Sequence, residues 1–289
     1  MKINLEHIVV RQMEESDISG AMHLVLAENW NQTKEDWQMF LNINSNLCLV
    51  ALYKSEVIGT VTAINYRNEV AWIGMMLVTK SFRGIGISKR LLNTIIERLS
   101  DCLSIKLDAT PAGKPVYNKL GFQEEFSLNR MVVTKFKGAT NINKSAAFWP
   151  ISVDEIEDIV SLDLKIFGSD RSELINSLIK RNSDKTWCVV KNEHVVGYVL
   201  GRPGLNYFQI GPLIAETVDD AIQLIEIILN QYIGESIVID ILQDKLEFKK
   251  HLISLGFSEQ RSFMRMYLKD NSFPGVMSNQ YVIAGPELG

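Results

Sequence analysis

Between Arg83 and Ser88 the chain reads RGIGIS, after an apolar run that ends at Val78 and before the helix-like run SKRLLNTIIERLSD. A helix that starts after a glycine turn leaves its first backbone N–H groups unpaired and places the positive end of its dipole there. Glycine lets that backbone approach an anion with no Cβ in the way. Arg83 adds a fixed charge beside it, so the stretch has the chemistry to hold a pyrophosphate. A tight strand-to-helix connection accounts for the same two glycines. The dinucleotide pattern GxGxxG does not fit, because Gly84-Ile85-Gly86 leads into Ser88 and Lys89 and meets no third glycine.

The elements that must carry this turn follow from periodicity. HIVVRQMEESDISGAMHLVLAENW reads as a strand, a turn and a helix capped by Ser16 or Asp17, with Ile18, Met22, Val25 and Leu26 on its apolar side. LCLVALYKSEVIGTVTAINYRNEVAWIGMMLVTK reads as successive antiparallel strands with turns at KSE and YRNE. The helix after the turn carries Leu91, Leu92, Ile95, Ile96 and Leu99 on one face. LSIKLDAT is a further strand, GKPVYNKLGF a short helix closed by Gly121, and EFSLNRMVVTK a last strand. The order β-α-β-β-β-α-β-α-β predicts an α+β domain with a mixed α/β sheet over residues 1–136. The polar stretch KGATNINKSA predicts a linker at 137–148.

Residues 149–289 echo the first half. TWCVVKNEHVVGYVLGR parallels LCLVALYKSEVIGTVTA, FQIGPLIAE parallels AWIGMMLVT, and ISLGFSEQRSFMRMYL parallels NKLGFQEEFSLNRMVV. The order is kept and the spacing nearly so, which predicts a duplicated fold. One part is not repeated. Where the first half has its glycine turn, the second has ETVDDA, with no glycine and with Glu216, Asp219 and Asp220. Such a segment repels a pyrophosphate, so no such anion is expected to bind there.

Composition sets the outer bounds. The 289 residues are 46% hydrophobic and 22% charged with a net charge of −4, as in a globular protein of two ordinary domains. The acidic balance speaks against nucleic acid as a partner. Cys48, Cys102 and Cys188 are scattered among apolar neighbours, and the four histidines show no ligand spacing, so neither disulfide nor metal is expected. No apolar run reaches the roughly 20 residues of a membrane span, and MKINLEHIVVRQM lacks the pattern of a signal peptide. The expectation is a cytoplasmic protein with no membrane partner.

The run MMLVTKSFRGIGISKRLL, followed downstream by PVYNKLGF, resembles the GNAT superfamily of CoA-dependent N-acetyltransferases over roughly residues 8–135. The family pattern Q/R-x-x-G-x-G/A falls on Arg83 to Ser88, with Ser88 departing from Gly or Ala at the last place. The family tyrosine four residues before a closing GF falls on Tyr117. The resemblance implies tandem GNAT-like acyl-CoA acyltransferase domains, the second degenerate. It implies that backbone groups of Met76, Leu77 and Val78 on a bulged strand hold the pantetheine and thioester. Arg83, Gly84, Ile85, Gly86, Ile87, Ser88 and Lys89 then hold the pyrophosphate, and Thr110 stands where relatives place a pantetheine-binding asparagine. Tyr117 is the implied proton donor to the CoA sulfur.

Glu69 and Asp108 are candidate bases, acting directly or through water, and each also reads as a strand-end or capping carboxylate. Asp108 lies between apolar Leu107 and Ala109, which predicts burial and a raised pKa. Trp30, Trp37 and Phe40 fall in the region that covers the acceptor in this family, where they line a pocket or simply pack. Asp170, in FGSDRSELI, is either a substrate contact or a helix cap. The implied activity is acetyl-CoA-dependent transfer to a primary amine of a small molecule or peptide, by direct attack in a ternary complex. The alternative is a non-catalytic CoA-binding sensor or regulatory module.

Overall fold

A computed structural model of the protein describes residues 5–138 and 147–289. The core of the expected linker, residues 139–146, lies outside the described residues. The first half forms β1 (Ile8–Gln12), α1 (Ile18–Ala27), α2 (Lys34–Asn44), β2 (Cys48–Tyr53), β3 (Glu56–Tyr66), β4 (Val70–Val78), α3 (Ile87–Arg98), β5 (Ser104–Ala109), α4 (Lys114–Lys119) and β6 (Gln123–Val133). The second forms β7 (Phe148–Pro150), α5 (Ile156–Phe167), α6 (Ser172–Arg181), β8 (Trp187–Lys191), β9 (His194–Arg202), β10 (Phe208–Ala215), α7 (Val218–Leu229), β11 (Ile237–Leu242), α8 (Leu246–Ser254), β12 (Ser258–Lys269) and β13 (Gln280–Val282).

The duplication is visible in local geometry. The β2–β3 hairpin turns on Lys54 and Ser55 at φ 48° and 68°, and the β8–β9 hairpin on Asn192 and Glu193 at φ 51° and 65°. Two consecutive positive φ values match the right-handed twist of the flanking strands. The helix α2 is an addition to the expected order. Thr33 caps it by accepting from Asp36 N–H, and the Asp36 carboxylate accepts from Thr33 N–H in return. Asp17 does not cap α1: its carboxylate turns back to accept from Glu14 N–H and to pair with Arg11 at 2.7 Å.

The thirteen strands of the described residues form one sheet, ordered β1-β2-β3-β4-β5-β12-β6-β11-β13-β10-β9-β8-β7. The halves exchange a matching pair of strands: β12 of the second half pairs with β5, and β6 of the first half pairs with β11. A reciprocal pair of salt bridges marks the exchange. Arg265 on β12 faces Asp108 on β5 in register and binds it through two hydrogen bonds of 2.8 and 2.9 Å. Arg130 on β6 faces Asp240 on β11 and binds it through two of 2.7 Å. Each arginine of one half thus clamps the aspartate at the matching place of the other.

Helices α1, α2, α5 and α6 pack on one face in a core shared by both halves, which includes Trp37, Trp72 and Leu178. On the opposite face α3 covers Ile105 and Leu107, while α7 and α8 cover the second half.

Candidate active site

The parallel ladder between β4 and β5 runs only from Val70↔Ser104 to Trp72↔Lys106. Beyond Trp72 the strands part. There β4 also slips its register against β3, with Met75 at φ 51°. Thr60 Oγ1 donates to Met75 O at 2.7 Å and holds the bulge. The parted strands open a cleft of about 650 Å³. Met76, Leu77 and Val78 line it, with backbone that has no β5 strand beside it.

At the mouth, Gly84 has φ 81° and Gly86, the N-cap of α3, has φ 97°. Both values lie in the left-handed region that favours glycine. No side chain caps the helix, and the space over Gly84 is open to a 4 Å radius. Arg83, Gly84, Ile87 and Ser88 line the cleft, whereas Ile85, Gly86 and Lys89 do not. Arg83 donates through Nε to Val78 O at 2.9 Å and reaches Glu28 through Nη2 at 2.6 Å. Glu28 therefore stands where an incoming anion must compete. Thr110 and Tyr117 complete this wall, Thr110 Oγ1 accepting from Gly113 N–H at 3.2 Å at the start of α4.

Two family models, each described as an acetyltransferase (GNAT) domain, match residues 7–132 and 159–282. The chain belongs to the GNAT acetyltransferase family. It is 27% identical over 267 residues to a holothin acyltransferase of Pseudoalteromonas sp. (strain SANK 73390), covering 91% of this chain and 88% of that protein. It is 24% identical over 249 residues to an uncharacterized N-acetyltransferase of Bacillus subtilis (strain 168), covering 85% and 86%. Among solved structures it is similar to a putative acetyltransferase from Pyrococcus horikoshii, with TM-score 0.83, 21% identity, and 100% and 98% of the chains covered. A tandem GNAT protein from the clavulanic acid biosynthesis pathway matches with TM-score 0.63 and 14% identity over 91% and 98% of the chains. The tandem GNAT fold is thus established.

In this GNAT domain Tyr117 packs edge-on against Phe122, ring centroids 5.8 Å apart, and lines the cleft. Burial pushes its phenol up to about 12. Asp108 also lies on the cleft wall, but its side chain is fully enclosed and both oxygens are held by Arg265. Burial raises its pKa against the pull of that arginine. The expected burial is present, and both oxygens are engaged by an arginine of the other half.

Four further residues singled out in the sequence stand away from the cleft. Glu69, at the start of β4, accepts from Ser169 Oγ at 2.9 Å. Asp170 accepts from Ser172 N–H at the start of α6 and pairs with Arg67 at 2.9 Å. Trp37 is wholly buried in the shared core, as is Phe40. Their apolar spacing served packing. Trp30, by contrast, lines the cleft.

The second half keeps the architecture and closes the equivalent gap. Beyond the pairing of β10 with β11, the short strand β13 inserts between them. A Cβ on Gly211 would lie 2.0 Å from Ile283 O, so that backbone is packed against the inserted segment. Pro212 stands at the place of Met75 and has no N–H. The start of α7 is closed by its own groups: Thr217 Oγ1 accepts from Asp220 N–H at 3.2 Å, and Asp220 pairs with Lys191 at 2.6 Å.

The segment after β13 continues to the first half's cleft. Trp72 Nε1 donates to Pro286 O at 3.0 Å, and Tyr66 donates to Leu288 O at 2.8 Å. A Cβ on Gly74 would meet Glu287 Cβ at 2.7 Å, so glycine is required for this approach. Glu287 thereby lines the cleft while paired with Arg202. Arg130, Arg261 and Phe263 line the same side. Sequence reasoning missed these residues and Glu28. The available signals were the glycine-flanked acid in AGPELG and the alternation of Arg261, Phe263 and Arg265 along one strand face.

Proposed function

We propose that the chain is an acetyl-CoA-dependent N-acetyltransferase in which a primary amine attacks the thioester directly in a ternary complex. The observation that carries this reading is that the β4 bulge, the uncapped start of α3 and Tyr117 line one cleft. The residues present fit CoA: open space over Gly84 and unpaired backbone at the start of α3 suit a pyrophosphate, and the free edge of β4 suits an extended pantetheine. When bound, acetyl-CoA supplies the activated acetyl thioester. Backbone donors at the bulge then stabilise an oxygen gaining negative charge, typically worth about 3–4 kcal/mol per donor. Tyr117 donates its proton to the departing sulfur. The amine's proton leaves on the acceptor side, where Glu287 is a carboxylate on the wall.

Similarity to proteins named for acyl transfer supports the reading. Isothermal titration with acetyl-CoA tests it, followed by thiol release with a panel of primary amines. Absence of binding to millimolar ligand removes the proposal, and binding without turnover leaves a CoA-binding module.

The Arg83–Glu28 pair yields an expected result of its own. Arg83→Glu is expected to weaken acetyl-CoA binding roughly 10- to 100-fold, the value of a lost hydrogen bond to a charged group. Its melting temperature should stay near wild type, because Arg83 is exposed. Glu28→Gln removes the competing carboxylate and is expected to tighten binding. Unchanged affinity in both variants would make the turn a structural connection only.

A further inference from the structure

The charges around the acceptor side of the cleft balance almost completely. Arg265 is matched by Asp108, and Arg130 by Asp240. Arg202 and Arg181 share Asp36 and Glu287, two positive and two negative groups. Arg261 is the remainder. Among the described residues its guanidinium has neither an ion pair nor a hydrogen bond, and its buried Nε is unsatisfied. The neighbouring carboxylate Glu259 is occupied by Lys249 at 2.8 Å and by Asn129 at 2.8 Å.

Position makes that remainder useful. Along β12, Arg261, Phe263 and Arg265 alternate onto one sheet face, and Arg261 lies across from Arg130 in register. Asp108 and Trp72 belong to that face, opposite the one covered by α3, since Asp108 meets Arg265 and Arg265 stacks on Trp72 at 4.3 Å. The cleft passes between the parted strands from the α3 turn to this face. Arg261 and Arg130 both lie over the Phe263 ring, at 5.0 and 5.1 Å, which holds the guanidinium in place without neutralising it. Burial, with Arg130 beside it, lowers the pKa of Arg261 from the ordinary guanidinium value and outweighs the pull of Asp240 and Glu287, carboxylates already paired with Arg130 and Arg202.

The strand exchange does not require this arginine. In the alignment of the two halves Arg265 matches Arg130, whereas Arg261 matches Phe126. An unmatched, partly desolvated cation is costly unless something pairs with it. Resting on the acetyltransferase reading of this cleft, we infer that Arg261 docks an anionic group of the acceptor. The acceptor is then an amine that also carries a carboxylate or a phosphoryl group.

The test is an NMR titration of the full chain labelled with 15N, following the arginine Nε–H signals. Arg261→Gln assigns the Arg261 signal. Sodium acetate and inorganic phosphate are added separately at constant ionic strength, to about 50 mM, a range suited to one or two charge-assisted hydrogen bonds. The Arg261 signal is expected to shift saturably while the paired Arg130 and Arg265 signals stay fixed. Saturation by acetate indicates a carboxylate-bearing acceptor, and saturation by phosphate alone a phosphoryl-bearing one. No saturable shift with either probe, or an equal linear drift of all exposed arginines, overturns the inference.

A second measurement separates docking from architecture. Arg261→Gln orphans no partner, so its melting temperature is expected at or above that of wild type. A loss as large as that of a broken Asp108–Arg265 pair would make Arg261 structural and overturn the inference. Acetyl-CoA binding is scored separately on the backbone amides of Gly84 and Gly86. Failure there counts against the acetyltransferase reading, while an unresponsive Arg261 beside a responsive turn counts against the anionic acceptor alone.

Discussion

Tyr117→Phe is expected to lower turnover about 10²–10⁴-fold while leaving acetyl-CoA affinity and melting temperature near wild type. The ring remains, and with it the edge-on contact to Phe122. Only the hydroxyl is lost, and its proposed task is to protonate the sulfur as the thioester breaks. Burial favours the neutral phenol and raises its pKa from 10.0 to about 12. The acid is therefore fully protonated at neutral pH, and wild-type turnover is expected to show no loss from this group as pH rises to about 10. The sign for stability agrees. A folded-state pKa above the unfolded value gives a contribution fully present below pH 10 and lost as pH rises from there through about 12. Single-turnover rates across pH check both points. A Tyr117→Phe variant with wild-type rates would place the proton donor elsewhere.

Asp108→Ala is expected to cost about 3–5 kcal/mol of folding stability, because it leaves Arg265 buried without its anion. The Arg265 side chain is only 4% exposed and the Asp108 side chain 0%. Asp240→Ala should cost a similar amount, since Arg130 and Asp240 form the same clamp at the other exchanged strand. Pairing Asp108→Ala with Arg265→Met should recover much of the loss, as replacing a buried ion pair by apolar groups is often neutral or stabilising. Urea unfolding of the single and double variants measures the coupling. If Asp108→Ala instead abolished turnover with unchanged unfolding, Asp108 would be the base and the clamp would lose its meaning.

These two residues show where sequence reasoning reached and where it stopped. The place of Tyr117 on the cleft wall was legible because it depends on local spacing: the α4 turn ends at Gly121, and the tyrosine sits on that turn. Gly84 and Gly86 were legible for the same reason, since a positive φ is a demand one residue makes on its own backbone. Burial of Asp108 was legible from Leu107 and Ala109. Its partner was not, because Arg265 is 157 positions away and arrives only through strand exchange. Trp37 and Asp170 stayed open in the sequence because an aromatic at helical spacing and an acid before a helix look alike whether they face substrate, core or solvent. Glu287 was hidden by distance along the chain, as Gly74 admits it from the far end of the other half.

Local sequence carried the repeated α+β plan, the glycine turn ahead of α3, its absence from the second half, and the position of Tyr117 on α4. Each depends on backbone conformation or side-chain periodicity within a few residues. The tertiary arrangement set the exchange of β6 and β12, the clamp at Asp108, the closing of the second gap by β13 and, among the described residues, a charge at Arg261 with no ion pair on the acceptor side. The physical reason is common to all four. Ladder pairing and charge neutralisation are properties of partners brought together by the fold, and neighbours along the chain carry no record of which partner that is.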